Sequence, residues 1–509
     1  MIGDMKRFFS YLVISALVIG MMGCGDFLEE SSLDEVRPST VTELEQLLLG
    51  EGYLRREQVF FYIELLTDNV QNSFSPNVNH VTLLQQGAPA FTWDPNMFDR
   101  MDELHVTGID TWEKLYSKIK GCNVVLDMLD KVSGSEGSKL NQKGQALALR
   151  AFYYFVLVNT FAEPYNKEGL DLNTALGVPL ILESAVKDEF PPRASIAKVY
   201  GQIESDLLEA AELLDKYGKD NVLYKVTPLF VSTLLSRMYL YMENWEKAAE
   251  YASKVIERNP QLRKLSDYVK IEIDEWFGDE IITYDKENGG VYNFDSPELI
   301  FGYGIYKNDE IFFQFPDIST YPGSVPVFAV SEKFISQHDN NDLRSHFYYQ
   351  EYWKMMFPPV RGILRGNKSF SDNSSNPSQG MRVAEAYLNR AEANIHLFMK
   401  NGKDENRVSA LKDLNYLRAH RFKQPYHDVS IADGQELLDF CLEERRKELA
   451  FEEHRWFDLR RYGMPELKHV FFINPGEEQV YVLEKNSSRY ALPIPLLVRK
   501  ANPNLEPNL

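Results

Sequence analysis

The stretch from Gln435 to Gly463, QELLDFCLEERRKELAFEEHRWFDLRRYG, constrains this chain more than any other. At 100° per residue, Leu438, Cys441, Leu442, Leu449, Trp456 and Leu459 share one side, which predicts a single helix of about eight turns with a core-facing stripe. Arg445 and Glu452 fall inside that stripe. A buried charge is costly unless it is paired and hydrogen-bonded, so both need fixed partners elsewhere in the fold. Glu443, Glu444, Arg446, Lys447, Glu448, Glu453 and Arg455 crowd the other faces, where pairs three and four residues apart can form. Such a helix is a central support for others. Arg445, Glu448, Glu452, Arg455, Trp456 and Asp458 read as a packing and ion-pair framework, and Glu448 with Glu452 does not read as a catalytic acid/base pair.

A chain of 509 residues can bury a large core. Its 75 Asp and Glu exceed its 55 Lys and Arg, for a formal net charge of -20, and this argues against nucleic acid, whose binding needs clustered cations. Of three cysteines, Cys122 and Cys441 lie on apolar helix faces and read as buried thiols. The third, Cys24, follows Lys6, Arg7, an apolar run from Tyr11 to Ile19 and the small-residue approach to Gly23. Residues 1–23 therefore read as a signal peptide, and the approach resembles a lipobox that would make Cys24 a lipidated N-terminus. Residues 24–40 would form a tether, and residues 41–509 a single domain.

Within that domain, helical periodicity marks Val41 to Leu49, a helix with Trp112, Leu115 and Ile119 on one face, and Gln145 to Phe161, which is apolar nearly all round and belongs inside a bundle. Ser195 is a candidate cap for an amphipathic helix through Leu214. Thr227-Pro228 and Asn244 open two helices that read as a tetratricopeptide-like hairpin, and Ala384 to Phe398 with Ala410 to Leu417 forms a later pair. The expected fold is mostly α: helical hairpins over about 112–260 and 380–463 form a bundle or solenoid, with a loop-rich region over about 67–111 and 262–379 containing a few short strands such as Glu298 to Phe301.

No HExxH, P-loop or GxSxG motif is present, so no metal, cofactor or catalytic group is assigned. Gly302-Tyr303-Gly304 begins like a dinucleotide loop but lacks its third glycine. The Asp339 to Asp342 run lacks the glycine and glutamate of an EF-hand loop. Trp93, Trp276 and Trp353 lie in the irregular regions, where a ring can offer its face to a sugar or peptide. With Asp68, Asn69, Asn77 and Phe98 they make a candidate shallow site shared between the Asp68 to Phe98 loops and the Trp276 to Trp353 region.

The run ERRKELAFEEHRWFDLRRYG, with Arg445, Glu448, Leu449, Phe451, Glu452, Arg455, Trp456, Asp458, Leu459 and Arg461 in place, resembles the C-terminal signature of the SusD/RagB family of Bacteroidetes lipoproteins. The LRA-aromatic helix at Leu149, Gly177-Val178-Pro179-Leu180 and the closing LPIP and NPNL segments resemble the same family, and Asp26 to Glu30 resembles the acidic tether of surface-displayed lipoproteins. The resemblance implies a non-enzymatic binding lipoprotein on the outer-membrane surface. It would capture an oligosaccharide and act as the lid of a SusC-like TonB-dependent transporter. A RagB-like peptide-binding lid is the alternative, followed by a helical-repeat scaffold or a surface glycoside hydrolase.

Overall fold

The computed structural model describes residues 38–508 except 58, 61, 75–77, 186–189, 221, 274–279, 305–325, 355–359, 367, 369–375 and 475. Cys24 and the signal peptide expected before it lie outside the described residues, as do Asn77 and Trp276.

The helices begin where side chains can satisfy their free N–H groups. In chain order they are α1 (Val41–Leu47), α2 (Val78–Phe91), α3 (Met97–Glu103), α4 (Thr111–Met128), α5 (Glu136–Phe161), α6 (Ile196–Tyr217), α7 (Pro228–Tyr241), α8 (Trp245–Arg258), α9 (Val383–Asn401), α10 (Asp404–Ala419), α11 (Gly434–Leu449) and α12 (Arg455–Arg461), besides a few single turns. Ser195, Thr227 and Asn244 accept from the backbone N–H three residues on, as their sequence positions predict, and Thr40 closes a capping box with Glu43. Every residue of α5 from Gly144 to Phe161 is buried. Arg150 enters that apolar run only because Asp206 receives it in two 2.8 Å hydrogen bonds and Asn123 accepts a third. Small residues let α7 and α8 approach, close enough for the Ser236 hydroxyl to donate to the Ala248 carbonyl at 3.0 Å.

Helices α4 to α8 pack each on the next, and α8 then packs on α9 across more than a hundred intervening residues, with α9 also touching α10 and α11. The hairpin stack is thus continuous in space where the sequence interrupts it. The fold is mostly α, built of tetratricopeptide-like hairpins, and its strands are short antiparallel pairs. These are β1 (Val70–Asn72), β2 (Val269–Ile273), β3 (Glu280–Tyr284), β4 (Leu299–Tyr303), β5 (Phe328–Val330), β6 (Tyr349–Lys354), β7 (Val360–Gly366), β8 (Gln379–Arg382), β9 (Leu467–Phe471) and β10 (Gln479–Leu483). They pair as β1–β5, β2–β3, β4–β8, β6–β7 and β9–β10.

Two expectations need correction. The Asp68 to Phe98 segment, read as loop, contains α2 and the start of α3. Helix α2 tolerates Pro89 near its end because it lays Leu84, Ala90 and Phe91 into the core, and burial outweighs weak local propensity. The predicted eight-turn helix is broken into α11 and α12. Between them Phe451 and Glu453 take left-handed backbone, with φ of 60° and 61°, at a cost of about 1–2 kcal/mol each for residues with a Cβ. What holds the break is polar pairing: Glu452 accepts from Tyr292 and Arg382 at 2.6 Å, and Glu453 accepts from Tyr303 at 2.9 Å. Those partners come from elements a straight helix does not carry with it.

Candidate functional site

Glu448 sits at the centre of a charge cluster closed to solvent. Arg382 and Arg421 reach its carboxylate at 2.9 and 3.0 Å, Arg344 at 3.5 Å, and the Tyr348 hydroxyl donates at 2.8 Å. Glu298 joins Arg382 and Arg421, Asp342 and Glu444 hold Arg344, Arg418 holds Glu444, and Lys368 holds Glu452. Each sign is carried by five groups, so the cluster is neutral. Burial alone would raise the Glu448 carboxyl; Arg421, Arg382 and Arg344 instead hold it far below the usual carboxylate range. With its lone pairs taken, Glu448 has no capacity left for acid–base chemistry. Asp342, in the polar run considered for calcium, is buried against Arg344 at 2.7 Å. Beside the cluster, Arg445 meets Asp458 at 3.1 Å and Asn389 at 2.7 Å, and Trp456 stacks on Tyr490.

The cluster fixes β4 and β8, since Glu298 precedes one strand and Arg382 ends the other. Strand β4 forms the floor of an open cavity of about 430 Å³, within the range of small-ligand sites. Phe301 and Tyr303 lie on the floor, with Tyr53 beside them and Pro377 above Gly302. A Cβ on Gly302 would come within 2.5 Å of the Pro377 ring, and Gly304 holds φ 68°, so both positions require glycine. Their N–H groups tie in the two remaining walls: Gly302 donates to the Leu223 carbonyl at 2.8 Å and Gly304 to the Arg55 carbonyl at 2.6 Å. The first of these walls presents Tyr224, 60% exposed, and a further segment adds Phe294, 43% exposed. Among the described residues neither ring stacks on another. Arg55 and Arg56, both exposed, complete the lining.

The residues proposed from sequence are placed differently. Trp93 is 2% exposed, its Nε1 donating to the Leu66 carbonyl at 2.9 Å and its ring stacked on His469 at 4.1 Å. Phe98 is buried edge-on to Tyr62. Neither offers a face to a ligand: Trp93 lies in the turn after α2 and Phe98 on α3, and both are buried. Trp93→Ala is therefore expected to cost about 3–5 kcal/mol of stability, as for other buried aromatics, measured by urea unfolding. Asp68 is spent on Arg455, in two hydrogen bonds of 2.8 and 2.9 Å; burial raises its carboxyl, but Arg455 and Arg446 bring it down to about 2. Asn69 is buried and accepts from Arg446 at 2.9 Å. The backbone of Trp353 lies on β6 opposite Arg361. Strand β5 pairs with β1 and lies beside β7, so the two loop regions do meet, without forming the lined cavity. Sequence reasoning missed Arg55, Arg56, Tyr224 and Phe294. Its available signal was the Gly302 and Gly304 pair, which marks close backbone approach rather than a nucleotide loop.

Residues 26–240 match a SusD-like family profile described as starch-binding associating with outer membrane, and residues 336–509 match the profile of the SusD family. The SusD-like protein P38 of Formosa agariphila is 26% identical over 508 aligned residues, covering 90% of this chain and 92% of that protein. A crystallised SusD-like carbohydrate binding protein from Bacteroides vulgatus shares 23% identity over 92% of this chain and 97% of its own, with a TM-score of 0.66. A SusD superfamily protein from Bacteroides thetaiotaomicron shares 21% over 92% and 100%, with a TM-score of 0.67. With both profiles of one family matched in order, relatives that align nearly end to end and the same fold in solved structures, this chain belongs to the SusD/RagB family.

Proposed function

We propose that this chain is a non-enzymatic, glycan-binding lipoprotein of the outer-membrane surface that acts as the lid of a SusC-like TonB-dependent transporter. Family membership and the carbohydrate-binding relative from Bacteroides vulgatus support the general role. The observation that carries it to a site is the cleft over β4, where Tyr224 and Phe294 expose faces that suit the C–H surface of a sugar ring and the backbone beneath is tied by hydrogen bonds. Lipid on Cys24 would hold the chain at the membrane; among the described residues no helix is long and apolar enough to cross one. The cleft draws Phe294, Gly302 to Gly304 and Pro377 from the expected ligand region, and its other walls from residues 46–56 and 224, outside it.

Calorimetric titration of the full chain with oligosaccharides, repeated on Tyr224→Ala/Phe294→Ala, tests this reading. Affinity is expected to fall at least about tenfold with the thermal midpoint unchanged, since two half-exposed rings contribute little to the core. Equal affinity in the variant would remove the cleft as the site, and binding of peptides alone would move the cargo to the peptide class. Co-purification of a TonB-dependent transporter from outer membranes tests the lid, whose partner must appear in stoichiometric yield.

A further inference from the structure

Acidic residues outnumber basic ones in this chain, 75 to 55, and many of its arginines are ion-paired, among them Arg258, Arg344, Arg382, Arg390, Arg421 and Arg455. Arg55 and Arg56 are exceptions. They stand side by side on the cleft wall, exposed, and among the described residues no acid pairs with either. Of the acids near them in sequence, Glu57 holds Lys118 at 2.7 Å and Glu45 holds Lys225. Arg55 itself is held in place. Its backbone is left-handed, φ 47°, and its carbonyl takes the Gly304 N–H.

Two consecutive arginines that line a cleft with open aromatic rings, and that no acid among the described residues pairs, make a selective arrangement. The rings accept a sugar's C–H surface whatever its charge, whereas the arginine forks match the planar or tetrahedral oxygens of a carboxylate or sulfate. The overall charge of -20 disfavours polyanions at a distance, but screening over about 8 Å at physiological salt leaves the field inside the cleft to the arginine pair. Resting on the reading of the cleft as a sugar site, we infer that it takes an anionic glycan, one carrying uronate or sulfate groups, through Arg55 and Arg56.

The full chain is titrated with three oligosaccharides of matched length, one neutral, one uronate-bearing and one sulfated, each at low and at physiological salt. At least one charged sugar is expected to bind at least about tenfold tighter than the neutral one and to weaken with salt. In Arg55→Gln/Arg56→Gln that preference is expected to disappear, and Arg55→Lys/Arg56→Lys is expected to restore part of it. Whether the uronate or the sulfate arm responds identifies the group. If the neutral sugar binds as tightly as the charged ones, or charged binding ignores the glutamine pair, the charge assignment is overturned and the aromatic site stands. If no sugar binds, or Tyr224→Ala/Phe294→Ala leaves all binding unchanged, both are overturned.

Discussion

Replacing Glu448 with glutamine is expected to destabilise the folded chain by about 3–5 kcal/mol, a large share of the 5–15 kcal/mol that ordinarily separates folded from unfolded protein. The size follows from what the substitution leaves behind. Arg344, Arg382 and Arg421 are fully buried around this carboxylate, and removing its charge leaves three cations in a cluster whose remaining acids already have partners. The loss is read as a lowered midpoint in chemical unfolding at neutral pH. A second change, Arg421→Gln, made on top of Glu448→Gln is expected to cost less than it does alone, because the two groups share one interaction. A cost below about 1 kcal/mol for Glu448→Gln would mean that the cluster is solvated, as exposed pairs are, and would remove it as the anchor of β4 and β8.

The second large effect depends on pH. Burial pushes the Glu453 carboxyl up to about 7, the hydrogen bonds from Tyr303 and Phe60 opposing, and burial pushes Glu64 to about 7 as well. The folded chain therefore keeps a proton at Glu453 that the unfolded chain releases near its ordinary 4.5. Between those two values the unfolded state holds fewer protons, so this group's contribution to stability declines as pH rises and is fully lost above about 7. Buried histidines run the other way: burial brings His338 down to about 4 and His454 well below its usual value, so their contribution is lost as pH falls below 6.5. The difference between Glu453→Gln and the parent isolates the carboxyl. The variant is expected to gain about 3 kcal/mol on the parent between pH 4.5 and pH 8, followed by unfolding at several pH values. A difference that does not change with pH would show that Glu453 ionises as freely in the fold as out of it.

The hairpin repeats were legible in the sequence because each rests on local physics: caps at Ser195, Thr227 and Asn244, apolar residues at helical spacing, alanines at the close contacts of α8. The break at Phe451 was not, since AFEEH is built of residues that a helix accepts, and what bends it lies far away in Tyr292, Tyr303 and Arg382. The need of Arg445 and Glu452 for fixed partners could be read from their place in an apolar stripe; the identity of those partners could not. The cleft was least legible. Arg55, Tyr224 and Phe294 belong to three segments without periodicity, and two backbone hydrogen bonds from a pair of glycines bring the first two to β4. Trp93 misled for a related reason: a large ring among Asn and Pro looks presented, yet α2 and His469 enclose it.

Whether the cleft over β4 receives the glycan is decided by a crystal structure of the chain with a bound oligosaccharide. A sugar ring lying on Tyr224 or Phe294, with Arg55 or Arg56 at hydrogen-bond distance from its charged group, is the expected result. A sugar seated instead beside β1, β5 and β7, with the cleft empty, would contradict it.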